Sequence, residues 1–177
     1  MNSAVFLDRD GVLNRSLVLN GKPYPPQEIA EFEILPGVAD GLAIFKSLGF
    51  LCVVVTNQPD VRTGKQSLEK VESFHRLLMQ ELPIDDVKVC YHTDDDECSC
   101  RKPKPGMLVQ AANELGISLS HSVMIGDRWR DIEAGESVGC RSFLVDYNYP
   151  ESNGRIGEHV QRVSGVLDVA KIISGET

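Results

Sequence analysis

The chain of 177 residues is poor in aromatics, which make up 6% of it with a single Trp, and it holds no apolar run near the length of a membrane span. Excess positive charge is also lacking. Eighteen Lys and Arg face 26 Asp and Glu, a formal net charge of −8, which argues against a general nucleic-acid binder. No G-x-G-x-x-G pattern occurs, so nothing points to a nucleotide cofactor. Repeats, low-complexity tracts and linker-like stretches are absent as well, and one domain over residues 1–177 is expected. The opening MNSAVFLDRDGV does not read as a secretion signal, because its apolar run is short and acids follow at once. The expectation is a cytoplasmic monomer with no nucleic-acid or membrane partner, acting on a small molecule.

What is present is an alternation. AVFL (Ala4 to Leu7), LCVVVT (Leu51 to Thr56), VKVCY (Val87 to Tyr91), SVMIG (Ser122 to Gly126) and CRSFLV (Cys140 to Val145) read as strands. They are continuous apolar runs, as strands buried on both faces require. Between them GVADGLAIFKSLG, SLEKVESFHRLLMQEL, GMLVQAANELG and RDIEAGESVG have helical spacing, and VSGVLDVAKIIS reads as a last helix. VLNGKPYPPQEIAEF reads as a long loop after the first strand. This pattern predicts a Rossmann-like three-layer α/β sandwich with a mainly parallel central sheet. Ligands of such sheets sit beyond the carboxyl ends of the strands. The polar segments DRDG, TNQ, the Cys/His loop and GDRWRD all fall there.

Asp8 and Asp10 flank one residue after a buried strand, and persistent strand geometry would put them on one face. Two such carboxylates repel unless a cation intervenes. Oxygen ligands favour Mg²⁺, with Asp127 as a third contributor to the set Asp8, Asp10, Asp127. One carboxylate can attack phosphorus to form an aspartyl-phosphate, while the other protonates the leaving group and then activates water.

Three of the five cysteines and one of the four histidines lie in CYHTDDDECSC. Cys90, His92, Cys98 and Cys100 supply four N/S ligands, the set that suits tetrahedral structural Zn²⁺. Arg101 and Lys102 follow the last ligand directly, so a metal clamp over residues 90–100 would hold two cations at the strand ends. TDDDE between the ligands reads as a solvated acidic tip.

Together these segments resemble the haloacid dehalogenase (HAD) superfamily of phosphohydrolases, from about Ala4 to Val145. FLDRDGVLN looks like its first motif, VVVTNQ its second, RKPKPG its third and MIGDRWRDIEAG its fourth. The resemblance implies Asp8 as nucleophile, Asp10 as general acid/base, Thr56 and Lys102 on the phosphoryl group, and Asp127 on Mg²⁺. The Cys/His loop before CRKPKPGM resembles a branch without a large cap domain. That branch contains the heptose bisphosphate phosphatases and the histidinol-phosphate phosphatases. It implies substrate contacts at Arg101, in the loop after Asn14 and in the loop after Thr56.

The expected reaction is removal of the C7 phosphate of a heptose 1,7-bisphosphate, with histidinol phosphate or another small sugar or polyol phosphate as the alternatives. TNQPDVRTG departs from the TNQSG common in heptose-type enzymes, with Pro59 and Asp60 at the changed positions. Asp60 would suit the amine of histidinol. Arg15, Arg101, Arg128 and Arg130 would suit the second anion of a bisphosphate. Asn14, Arg15, Asn57, Gln58, Arg101 and Arg128 are therefore the candidate substrate contacts. Cys52 and Cys140 read as core, His75, His121 and His159 as surface or capping residues, and Asp131 as a support for the metal site.

Overall fold

Side-chain alternation along the first strand divides the interior into two layers. The computed structural model describes residues 1–175. In β1 (Ser3–Leu7), Val5 and Leu7 enter one apolar cluster while Ala4 and Phe6 enter another. The same split recurs in β4 (Phe50–Asn57), with Cys52 and Val54 against Val53 and Val55, and in β6 (Val123–Gly126), with Val123 and Ile125 against Met124. Strands buried on both faces need apolar residues at every position, which is why these runs do not alternate with polar ones.

Helix α1 (Val38–Ser47), the end of α2 (Leu68–Glu81) and α5 (Val166–Ser174) cover the first face. Helices α3 (Gly106–Leu115) and α4 (Trp129–Glu136) cover the second. With β5 (Asp86–Cys90), β7 (Arg141–Val145) and β8 (Gln161–Val163), the sheet runs β5-β4-β1-β6-β7-β8 and is parallel throughout. The chain winds outward from β1 to one edge, then restarts at β6 toward the other. The switch point therefore lies between β1 and β6, where such sheets open a crevice. The three-layer α/β architecture read from the sequence is the observed one.

Three local expectations change. The expected loop after β1 carries an antiparallel hairpin, β2 (Leu17–Leu19) and β3 (Lys22–Tyr24). Asn20 and Gly21 both take positive φ at its tip, as a two-residue primed turn requires. Strand β8 was not anticipated either, because its three residues are short and mostly exposed at a sheet edge. His75 is buried rather than at the surface, since it shares the Val71, Phe74, Leu78 stripe of α2. Cys52 and Cys140 are core residues as expected. His121 and His159 lie in exposed hydrogen bonds, to Ser118 and Glu136. Among the described residues no helix is long and apolar enough to cross a membrane.

Candidate active site

Asp8 is the first residue beyond β1, and its N–H donates to the Ile125 carbonyl at 3.0 Å. That bond continues the β1–β6 pairing and sets Asp8 beside Asp127, which follows Gly126 at the end of β6. Lys102 comes from the opposite side. Its Nζ lies 2.8 Å from Asp8 Oδ1, 2.6 Å from Asp131 Oδ1 and 2.7 Å from the Val55 carbonyl. The lysine is fully buried, and these three acceptors use all three of its donors. Burial alone would lower its pKa, but Asp131 and Asp8 outweigh burial and hold it above the ordinary lysine value. Burial pushes Asp8 up to about 6, an effect partly opposed by Lys102 and reinforced by Asp131 and Asp10.

Asp8, Asp127 and Asp131 place carboxylate oxygens within 4.8 Å of one another. Three carboxylates meet one ammonium in direct contact, with Arg128, paired to Glu151, the next nearest cation, so the cluster carries excess negative charge. Asp127 is buried and neither of its oxygens has a hydrogen-bond partner. Its pKa is raised well above the carboxylate range by burial and then by Asp8 and Asp131. Tyr149 lies near enough for Asp127 to raise its hydroxyl pKa, after the larger effect of burial, yet no hydrogen bond of ordinary geometry joins them. Orphaned buried carboxylate oxygens at the end of a strand are what a hard divalent cation requires, so the residues present fit Mg²⁺.

Gly11 keeps this corner open. It has φ +89°, and a Cβ there would lie 2.3 Å from Asp127 Oδ2. A Gly11→Ala variant is expected to lose about 1–3 kcal/mol to backbone strain and to require far more Mg²⁺ for activity. Thermal melts and a Mg²⁺ titration check this; wild-type behaviour in both would contradict the close approach.

The Asp10 carboxylate lies outside this cluster of carboxylate oxygens. Strand β1 stops at Leu7, so the alternation that would align Asp8 with Asp10 is not sustained. The Asp10 carboxylate instead accepts from Asn14 Nδ2 (2.9 Å), Gln58 Nε2 (2.8 Å) and the Arg9 guanidinium (3.0–3.3 Å). Asp131 takes its place in the carboxylate group. Thr56 is buried, and its hydroxyl accepts from Gln58 at 3.0 Å.

The cysteine loop closes on itself. Cys100 Sγ lies 3.1 Å from Cys90 Sγ, 3.5 Å from Cys98 Sγ and 3.3 Å from His92 Nδ1. Cys90 Sγ lies 3.7 Å from Cys98 and 3.6 Å from His92 Nδ1. Ligands at tetrahedral zinc distances stand about 3.3–3.8 Å apart; four of these five separations fall in that span and the Cys90–Cys100 pair is closer, so the donor set fits that ion once this pair opens slightly. Gly106, at the start of α3, passes under the loop so closely that a Cβ would lie 2.3 Å from the Ser99 carbonyl oxygen. The acidic tip is not merely solvated: Asp94 pairs with Arg101 (2.8 Å) and Arg130 (3.0 Å), and Arg101 first holds its carboxyl below the usual range.

Above the carboxylates lies a cavity of about 270 Å³, walled by Lys22 and Tyr24 of the hairpin, Asp60, Arg128 and Arg130. Of the expected substrate contacts, Asn57, Gln58 and Arg128 line it, and three others do not. Asn14 is buried beneath Asp10. Arg15 points to Glu33 at 2.8 Å, and Arg101 is taken by Asp94 and the His92 carbonyl. Asn57 also brackets the Lys102 backbone, accepting from its N–H and donating to its carbonyl, both at 3.1 Å. Sequence reasoning missed the segment after β7. There Glu151 pairs with Arg128 at 2.5 Å and the Tyr147 hydroxyl donates to the Gly11 carbonyl at 3.0 Å. Its position beyond another strand's carboxyl end was the available signal.

The HAD-hydrolase-like family matches residues 99–152. Together with the relatives below, this places the chain in the HAD-like hydrolases, and it is a phosphoric monoester hydrolase. The chain is 38% identical to the D-glycero-β-D-manno-heptose-1,7-bisphosphate 7-phosphatase of Haemophilus influenzae, over 98% of this chain and 97% of that one. It is 37% identical to the enzyme of the same name from Helicobacter pylori, over 81% and 83%. Among solved structures, the D,D-heptose 1,7-bisphosphate phosphatase of B. bronchiseptica, complexed with magnesium and phosphate, superposes with a TM-score of 0.83. It is 27% identical, with 99% of each chain covered.

Proposed function

We propose that this enzyme removes the 7-phosphate of D-glycero-D-manno-heptose 1,7-bisphosphate. The observation that carries the chemistry is Asp8, buried and held by Lys102 beside the unpartnered Asp127. A carboxylate oxygen of Asp8 attacks phosphorus, and the bond from phosphorus to the C7 oxygen breaks. Asp10 gives its proton to that leaving oxygen. Water then attacks phosphorus, Asp10 takes a proton from it, and the bond from phosphorus to Asp8 breaks to release phosphate. Lys102 and the Thr56 hydroxyl hold the phosphoryl oxygens, where charge collects in transfer. Mg²⁺ held by Asp8 and Asp127 would add charge neutralisation there. Asp131 steadies Lys102 from behind. Zn²⁺ on Cys90, His92, Cys98 and Cys100 would be structural, since four protein ligands leave no open position. The chain is proposed to work as a single cytoplasmic domain and as a monomer.

The substrate assignment is supported by the names of the relatives and by the rim of the cavity. Lys22, Arg128 and Arg130 stand beside the carboxylates and suit a second phosphate. Phosphate release with Mg²⁺ from heptose 1,7-bisphosphate and from histidinol phosphate is the test. The bisphosphate is expected to lead in kcat/KM by about 100-fold, or about 2.7 kcal/mol, the scale of one or two charge-assisted hydrogen bonds. A lead for histidinol phosphate would reverse the assignment and turn attention to Asp60.

A further inference from the structure

Two charged carboxylates flank a third charge that the chemistry above does not use. Arg9 lies between Asp8 and Asp10 in sequence and is fully buried. A guanidinium cannot shed its proton inside a protein, so when buried it must be paired. One edge of Arg9 meets Asp10, with Nη2 3.1 Å from Oδ1 and 3.0 Å from Oδ2, and Nε 3.3 Å from Oδ1. The other edge meets α2, with Nη1 3.1 Å from His75 Nε2. The face of the guanidinium lies over the Phe74 ring at 5.4 Å, and Phe74 in turn stacks on Phe32 at 5.1 Å.

Arginine only donates hydrogen bonds, so His75 Nε2 must accept. The imidazole is then neutral, with its proton on Nδ1. Burial, followed by the charge of Arg9, pushes the His75 pKa down to about 4, which agrees with a neutral ring. Two consecutive residues of α2 thus fix the guanidinium in place and orientation. It in turn fixes the carboxylate of Asp10, which also accepts from Asn14 and Gln58.

We infer that His75 is a positioning residue for proton transfer: through Arg9 it sets the orientation of the Asp10 carboxyl toward the leaving oxygen. The inference rests on Asp10 being the general acid/base. A buried arginine serving the fold alone would be satisfied by any acceptors. Here the carboxylate it grips is the one that must hand over a proton, so a small rotation of the guanidinium moves the reacting group.

The test compares two leaving groups. An alkoxide needs a proton as it departs, whereas 2,4-dinitrophenolate does not. kcat/KM counts only steps up to cleavage of the ester bond, so the later attack of water does not enter it. Heptose 1,7-bisphosphate and 2,4-dinitrophenyl phosphate are assayed on the same preparation, and the ratio of their kcat/KM values is independent of the folded fraction. His75→Leu, which removes the acceptor, is expected to lose about 10-fold or more on the bisphosphate and less than about twofold on the aryl ester, a part of the 10²–10⁴ of full acid–base catalysis. His75→Gln, which restores an acceptor near the Nε2 position, is expected to recover most of the loss. His75→Asn, whose amide is too short to reach Nη1, should reproduce the changed ratio and serves where Leu prevents folding. Equal losses on the two esters, or no rescue by Gln, would overturn the inference. Asp10→Asn is the reference: if it shows no split between leaving groups, the assignment of Asp10 fails first, and the role of His75 with it.

Discussion

Replacing Lys102 with methionine is expected to lower turnover by at least about 10³-fold and to destabilise the fold by about 3–5 kcal/mol. The length and burial of the side chain are retained, but the ammonium is lost. Asp8 and Asp131 then lose the cation 2.8 and 2.6 Å away, and the Val55 carbonyl loses its donor. Asp127 already lacks any partner. Three buried carboxylates would then share one pocket with only Arg128, itself paired with Glu151, against them, and at this chain length the loss corresponds to a fall of about 10 °C in Tm. A divalent cation can take over part of the task, since it binds the folded state and not the unfolded one. Mg²⁺ should therefore raise the Tm of Lys102→Met more than that of the wild type, without restoring turnover. Melting curves with and without Mg²⁺, beside phosphate-release rates, check both halves. A variant with wild-type Tm in the absence of Mg²⁺ would show that the cluster is not held by charge.

The second large effect is at the proposed zinc cluster. Cys100→Ser is expected to abolish binding of one Zn²⁺ per chain, to lower Tm by about 10 °C, and to remove most activity even with saturating Mg²⁺. Zinc sites of this ligand type supply about 10–16 kcal/mol to small domains that fold around them. Losing even about 3 kcal/mol here gives the stated fall. The connection to catalysis is a matter of chain length, because Lys102 follows Cys100 by two residues. Once the sulfur atoms separate, the backbone of this stretch keeps the Asn57 bracket and the bond from Gly106 N–H to the Ser99 carbonyl at 3.0 Å, while Arg101 keeps its bonds to Asp94 and the His92 carbonyl, themselves within the loop that the metal closes. Metal analysis, melting and activity on one preparation test the coupling. Loss of zinc with full activity would separate the clamp from the lysine.

The layered sheet was legible because β1, β4 and β6 are buried on both faces, and continuous apolar runs leave few other readings. The gathering of the Cys/His loop, and of Asp8 with Asp127, was legible for a different reason: thiols, an imidazole and carboxylates are costly to gather unless something binds them. The hairpin carried a readable sign in Asn20-Gly21 between LVL and KPY, and composition alone hid it. His75 was also readable, since it falls on the apolar stripe of its helix. The partners of Arg9 were not readable. Its contact with α2 spans 66 positions, and no local pattern encodes so distant a pairing. The exchange of Asp10 for Asp131 in the carboxylate group depended on where β1 stops, and strand ends are the least certain part of any sequence reading.

The stem of the hairpin has a consequence for how such an enzyme can change. Arg15 N–H donates to the Glu33 carbonyl at 2.9 Å, and Leu35 N–H donates to the Leu13 carbonyl at the same distance. Residues 16–31 therefore form an excursion that starts and ends at a single doorway, with Phe32 back on Phe74 of α2. They wall the cavity through Lys22 and Tyr24, while the reacting groups sit below the stem. Closing a longer excursion through the same doorway adds little entropy cost, about 0.6 kcal/mol per doubling of length. Substrate preference and catalytic power are thus separable inheritances. The excursion can be exchanged, lengthened or redesigned as a module, and the machinery beneath it passes on unaltered.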